Sequence, residues 1–239
     1  MIEFSSKYRS RQSEIMDDFN FHGNELELLL TDLKFVNKWL GGNKITAEGI
    51  AKLLKHSSEK ETITILDIGC GDGELLRSVT EFGAKNGLKI IGIGVDFNEN
   101  IIEIAKARSK VFPNLSYIKQ DVFSDSFTNI TYDIALCTLF LHHFSNERIV
   151  KLLTKLTKGA NLGVVVNDLQ RNRFAFWLFK VFGAVFLETK TARHDGLVSI
   201  ARGFTRKELL SLSEAIPDVK ATVCWRWAFR YQWNLRRVQ

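Results

Sequence analysis

Residues 65–75 read "ILDIGCGDGEL", with glycine at 69, 71 and 73 and aspartate at 67 and 72. A short β-branched apolar run, "TITILDIG" (62–69), leads into the glycines, and an amphipathic pattern, "ELLRSVTEFGAKNG", comes after them. A glycine-rich turn between a strand and a helix lets backbone N–H groups approach a ligand closely. The dinucleotide version is spaced G-x-G-x-x-G and seats a pyrophosphate on the helix N-terminus. Here the spacing is G-x-G-x-G and two carboxylates flank it. They would repel a pyrophosphate and attract a cationic ligand.

Working outward, the chain keeps a strand–helix rhythm. "KIIGIGVDF", "LSYIKQDVF", "YDIALCTLF" and "NLGVVVNDL" read as four further strands, and Asn98 caps the helical "ENIIEIAKARSKVF". Such alternation means βαβ units and a parallel sheet covered on both faces. The end breaks the rhythm. "VKATVCWRW" and "FRYQWNLRR" have almost nothing between them, and a link that short permits only an antiparallel hairpin. Between strand 5 and the hairpin, residues 174–187 read as a helix, and Thr205 with Glu208 opens another as a capping box. Before the first strand, "ELELLLTDLKFVNKWL" and "TAEGIAKLLKH" carry helical periods. The first 60 residues are expected to be helical.

Asp67-Ile-Gly69-Cys70-Gly71-Asp-Gly73 resembles the D/E-x-G-x-G-x-G motif of the class I S-adenosylmethionine (SAM)-dependent methyltransferases. Asp96 at the end of strand 2, "QD" at 120–121 and the terminal hairpin fall where that family puts them. The resemblance covers roughly residues 60 to 239. It implies an α/β, Rossmann-like seven-stranded sheet of order 3-2-1-4-5-7-6, strand 7 antiparallel, with helices on both faces. It also implies that Asp67, Gly69, Cys70, Gly71 and Gly73 face the methionine portion of SAM, whose product is S-adenosylhomocysteine (SAH). Asp96 would take the ribose hydroxyls. Asp121 reads either as the adenine acceptor or as a helix cap, with Val122 and Phe97 flanking the ring. Cys137 and Thr138, at the strand 4 exit, are placed on the cofactor side.

The acceptor side is read from the strand 4 exit onward. The segment "CTLFLHHFSNE" (137–147) has neither the Asn/Asp-Pro-Pro-aromatic tetrapeptide of base-amino methylation nor a cysteine after proline. "LHHF" resembles small-molecule methyltransferases of quinone, phenolic-lipid and polyketide pathways. His142 or His143 is expected to take a proton from the acceptor, since imidazole titrates near neutrality; either reads equally as a loop-ordering residue. An insert near 170–204 is expected to cover the acceptor, through the aromatic stripe that includes Trp177, which reads equally as core packing, and through a loop carrying Arg193, His194, Ser199 and Arg202. Residues 1–60 would form a lid, with Tyr8, Arg9 and Arg11 near the site, and 61–239 the SAM-binding domain.

The remaining bounds are coarse. The net charge of +6 admits an anionic partner, nucleic acid or a membrane surface in transient contact. The basic end "RWAFRYQWNLRR" is read first as a solvated strand face. Three distant cysteines make no disulfide framework or zinc spacing, and no metal ligand set is expected. No apolar leader or 20-residue span is visible, so the expected location is the cytoplasm. The expected function is O-methylation of a small hydrophobic acceptor by a monomer or homodimer. The alternatives are an RNA methyltransferase, a silent SAM-binding module and, more distantly, a nicotinamide-dependent reductase.

Overall fold

The computed structural model describes residues 2–18, 22–55, 61–124, 127 and 130–238. Seven strands form one sheet: β1 (Thr62–Ile68), β2 (Lys89–Asp96), β3 (Leu115–Lys119), β4 (Tyr132–Thr138), β5 (Ala160–Leu169), β6 (Val219–Arg226) and β7 (Arg230–Arg237). Their order is β3-β2-β1-β4-β5-β7-β6. The first five pair in parallel, and β7 runs antiparallel to both β5 and β6. The expected topology is therefore observed.

Among the described residues, eight helices surround the sheet: α1 (Asn24–Trp39), α2 (Gly42–Leu54), α3 (Glu74–Lys85), α4 (Glu99–Arg108), α5 (Asn146–Gly159), α6 (Arg173–Phe186), α7 (Lys190–Arg202) and α8 (Arg206–Glu214). Strand alternation divides the core. Leu66 and Ile68 of β1, Ala135 and Cys137 of β4, and Trp233 of β7 bury against α5 and α8 on one face. Ile63 and Ile65, Ile134 and Leu136, and Val165 bury against α2 and α3 on the other. The period of two puts Asp67 on the second face and Cys137 on the first.

Three expectations change. Residues 2–18 are an extended strap with a single 3-10 turn at Ile15–Asp17. Without a helical apolar period, the strap is held from outside: Asp195 accepts from the N–H groups of Ile15 (2.8 Å) and Met16 (3.0 Å). Second, residues 193–202 lie in α7, a helix, in place of the expected loop. Thr189 caps it and is itself fixed by Asp32 of α1. Third, α2 is seated on the sheet itself. It packs on β5 through Ile50 and Leu53, so closely that a Cβ on Gly49 would meet Val165 Cγ1 at 2.5 Å. The end of the second predicted helix at His56 and the 60/61 boundary fall at residues 56–60, outside the described residues.

Candidate active site

The strand order reverses between β1 and β4, and in open α/β sheets ligands bind at that switch point, beyond the carboxyl ends of the strands. Three adjoining cavities lie there. The first runs from the glycine loop (Asp67, Gly69, Gly71) past Thr138 to Glu14, His142 and His143. The second is almost wholly apolar, about 280 Å³, and lies under α6 and α7 and the β6–β7 turn. The third holds Asp96, Phe97, Asp121, Val122 and His143. Leu139 lines all three.

The glycine loop is shaped as its spacing requires. Gly69, Gly71 and Gly73 take φ of 67°, 53° and 77°, the left-handed region that glycine enters without penalty. At Gly69 a Cβ would collide with the Phe140 ring, and at Gly73 with the Tyr117 hydroxyl, whereas at Gly71 the space is open. The cradle therefore accepts no side chain at two of its three corners.

Asp67 is buried, and its Oδ2 has no hydrogen-bond partner. Burial, helped by the charge of Asp96, pushes its carboxyl up to about 8. An orphaned buried carboxylate is costly unless a cation meets it, so this residue fits an ammonium-bearing ligand. Asp72 differs. Its Oδ2 is ion-paired with Arg77 (3.2 Å) and Arg108 (2.6 Å). The expectation of two uncompensated carboxylates is thus corrected to one, because α3 and α4 each supply an arginine to Asp72.

Asp96 is half-buried and accepts from Gly71 N–H (3.2 Å) and Asn98 N–H (3.0 Å). Burial raises its carboxyl despite those bonds. The Asp96→Ala variant should weaken SAM binding by about 1–3 kcal/mol, the cost of leaving buried polar groups unpaired. Calorimetry checks it, and unchanged affinity would show that this carboxylate does not face the ligand. β3 ends at Lys119, so Asp121 sits in a turn, exposed, where its Oδ1 accepts from Phe123 N–H at 2.9 Å. Val122 is buried and Phe97 about half exposed on the same cavity. Thr138 faces the first cavity and shares a hydrogen bond with Thr46 at 3.1 Å. Cys137 does not. Its side chain is fully buried on the α5 side of β4, away from Asp67, and burial pushes its thiol well up.

The two histidines separate. His142 is buried with Nδ1 2.7 Å from Asp168 Oδ1 and Nε2 3.3 Å from Glu14 Oε1, the latter off the line of a hydrogen bond. Burial alone would lower its pKa, but Asp168 and Glu14 outweigh that and push it up to about 9. His142 is therefore an imidazolium near neutrality, which corrects its expected role as a base. His143 is less buried and lines both the first and third cavities, with Nδ1 3.1 Å from Asp17 Oδ1. Glu14 has its carboxyl lowered: burial opposes ionisation, and the two histidines and Ser199 more than offset it.

Glu14, His142 and His143 each bring one ligand atom within 4.8 Å of the others, a grouping the sequence hid because Glu14 arrives from the strap. With His142 charged, the trio forms an ion-pair network. Its contribution to stability tracks the charge of His142. A raised folded pKa stabilises fully below the unfolded value of about 6.5, and that stabilisation is lost as pH climbs to about 9. Thermal melting across that window should fall more steeply for the wild type than for His142→Gln; equal slopes would contradict the assignment.

The acceptor-side expectations are mostly redirected. Trp177 is 57% exposed on the outer face of α6, stacked on Phe174, and does not line the apolar cavity. Arg193 is turned to the Leu187 carbonyl, which accepts from its Nε and Nη2. His194 pairs with Asp195 at 2.8 Å and lines none of the three cavities. Arg202 donates to the His143 carbonyl (3.0 Å) and pairs with Asp17 (3.2 Å). Ser199 alone of these reaches cavities one and two, donating to Glu14 Oε1 at 2.8 Å. Arg9 donates to the His142 carbonyl at 2.8 Å, while Tyr8 and Arg11 are exposed.

Two residues had no sequence signal. Leu139 takes φ 51°, a left-handed leucine whose N–H is held by the Asn167 carbonyl at 2.9 Å. Arg230, buried at the wall of the apolar cavity, donates to Asn37 Oδ1 at 3.0 Å, and burial lowers its pKa to about 10.

Residues 65–161 match a family described as a methyltransferase domain. Over those residues the chain is similar to a methyltransferase domain. It is 26% identical over 179 residues to sterol 4-C-methyltransferase strm-1 of Caenorhabditis elegans, covering 72% of this chain and 49% of that one. It is 29% identical over 140 residues to the ubiquinone biosynthesis O-methyltransferase of Coxiella burnetii, covering 56% of each. The chain thus spans about half the length of the curated relatives it matches. The solved plantazolicin methyltransferase BpumL, in complex with SAH, superposes with a TM-score of 0.71 at 16% identity, covering 93% of each chain; this likeness carries the fold of the methyltransferase. The matched segment runs from the second half of β1 to the start of β5, and so contains the glycine loop, Asp96 and both histidines but not α6, α7 or the hairpin.

Proposed function

We propose that this methyltransferase binds SAM and methylates an oxygen of a small hydrophobic acceptor, phenolic, quinone-like or polyketide-derived. The observation that carries the reading is the junction at Leu139. There a cavity with an uncompensated carboxylate, Asp67, meets an almost wholly apolar cavity walled by α6, α7 and the β6–β7 turn. One space suits an ammonium-bearing cofactor and the other a greasy ring.

Asp67 would hold the cofactor's ammonium, Asp96 its ribose and the Phe97–Val122 side its adenine. SAM supplies, when bound, an electrophilic methyl on a sulfonium. The protein's part is alignment, worth several kcal/mol in positioned reactions, and acceptance of the acceptor's proton. His143 is the candidate for that step, since His142 already carries its proton. Arg230 places one cation at the wall of an otherwise apolar space, which suits an acceptor with a single polar head.

The net positive charge admits RNA as a substrate. An apolar acceptor cavity favours the small molecule, since nucleic-acid recognition rests on phosphate contacts. Labelled-methyl transfer from SAM, offered separately to a pool of phenols and quinols and to total RNA, tests the reading. Label in the small-molecule product supports it; label in RNA alone, or in neither, overturns it.

A further inference from the structure

We propose that α6 and the β6–β7 turn form a docking surface for an anionic lipid bilayer. The outer face of α6 exposes Phe174 (58%), Val181 (48%), Val185 (67%) and Phe186 (57%) beside Trp177. The face continues onto the turn, where Phe174 meets Phe229 edge-on at 6.0 Å and Trp227 is 71% exposed. At its other end Phe186 stacks near Phe35, which leads to Trp39, 69% exposed. Isolated exposed apolar side chains are ordinary, but a contiguous patch marks an interaction site.

Three observations choose the occupant. Phenylalanine and tryptophan on one face of a surface helix are the composition of an element lying in the headgroup region. The 14 residues of α6 include Arg173 and Lys180, both exposed, and no acid, which complements anionic lipid. The same helix and turn also line the apolar cavity, through Leu178, Phe182, Trp227 and Phe229. A bilayer on this face would present a lipophilic molecule at the cavity mouth, whereas a second copy would cover it. That delivery role rests on the function proposed above; the docking itself does not. No helix among the described residues is long and apolar enough to cross a membrane, so the contact is with the surface.

Co-sedimentation of the full chain with vesicles tests the proposal without any activity assay. We expect binding to phosphatidylcholine vesicles containing one third phosphatidylglycerol, and much weaker binding to phosphatidylcholine alone. Lys180→Glu should lower partitioning by at least about fivefold, the worth of one basic residue at such a surface. Val185→Glu should abolish it, while its circular dichroism and SAH binding stay those of the wild type. Failure of the wild type to bind either vesicle would overturn the proposal. So would a wild-type dimer that Val185→Glu splits to monomers with no vesicle binding by either protein, which would give the face to a second copy. Vesicle binding unchanged in both variants would also overturn it.

Discussion

Replacing Asp67 with asparagine is expected to abolish most of the pH dependence of SAM binding and, above pH 8, most of the affinity. The carboxyl is held up to about 8 in the unliganded protein by burial, with Asp96 adding to it. An ammonium ligand binds the ionised form, so binding must release a proton whenever the pH lies below that value. Affinity should therefore rise with pH by up to about tenfold per unit below 8 and flatten above it. Removing one partner of a buried charge pair costs about 2–5 kcal/mol, which at high pH is on the order of 10²-fold in Kd. At neutral pH the loss should be smaller, because the wild type is then mostly protonated. The same raised pKa has a cost for the empty protein: its folded state binds the Asp67 proton more tightly than the unfolded chain does, so its stability drops as pH rises toward 8. Calorimetry in two buffers of different ionisation enthalpy reads the released proton directly. A wild-type affinity that is flat between pH 6 and 8 would contradict the assignment.

The second large effect is on turnover. His143→Asn should lower the methyl-transfer rate by about 10²–10⁴-fold, the usual worth of a general base, while SAM affinity changes little. The residue lines the two cavities that adjoin the glycine loop, and its Nδ1 lies 3.1 Å from Asp17 Oδ1, off the line of a hydrogen bond. The Asp17 carboxyl is lowered to about 2: burial opposes ionisation, and His143 and Arg202 override it. His142→Asn should behave differently, loosening the strap and the Asp168 contact. The acceptor must be weakly acidic, because a phenol ionised at the assay pH needs no base. Full rate in His143→Asn on such an acceptor would remove the residue from the chemistry and leave alignment as the whole of catalysis.

What could be read from the sequence was what short-range physics encodes. The alternation of strand and helix, the left-handed glycines at 69, 71 and 73 and the missing crossover before the last strand are local, and each has its counterpart in the fold. The ionic partners are not local. Asp72 is neutralised by Arg108 from the next helix, and His142 is made cationic by Asp168 of β5 and Glu14 of the strap. An aromatic stripe points to Trp177, and a polar cluster read as a loop points to Arg193. A helix has an outer face, however, and Trp177 lies on it, while Arg193 is spent on the α6–α7 corner. Cys137 has only its place at a strand end to suggest a cofactor contact, and alternation sends it to the opposite side of the sheet from Asp67. Leu139 could not have been found, because nothing about a leucine signals φ 51°. Such a conformation costs about 1–3 kcal/mol, and residues held that way cluster at ligand sites.

The central claim is that the crevice beyond β1 and β4 is built for a cationic sulfonium cofactor and not for an anionic dinucleotide. Isothermal titration of the unliganded chain with SAM, SAH and NAD decides it most directly. SAM and SAH should bind at one site per chain, and NAD should give no heat of binding at the same concentrations. NAD binding more tightly than SAM would contradict it.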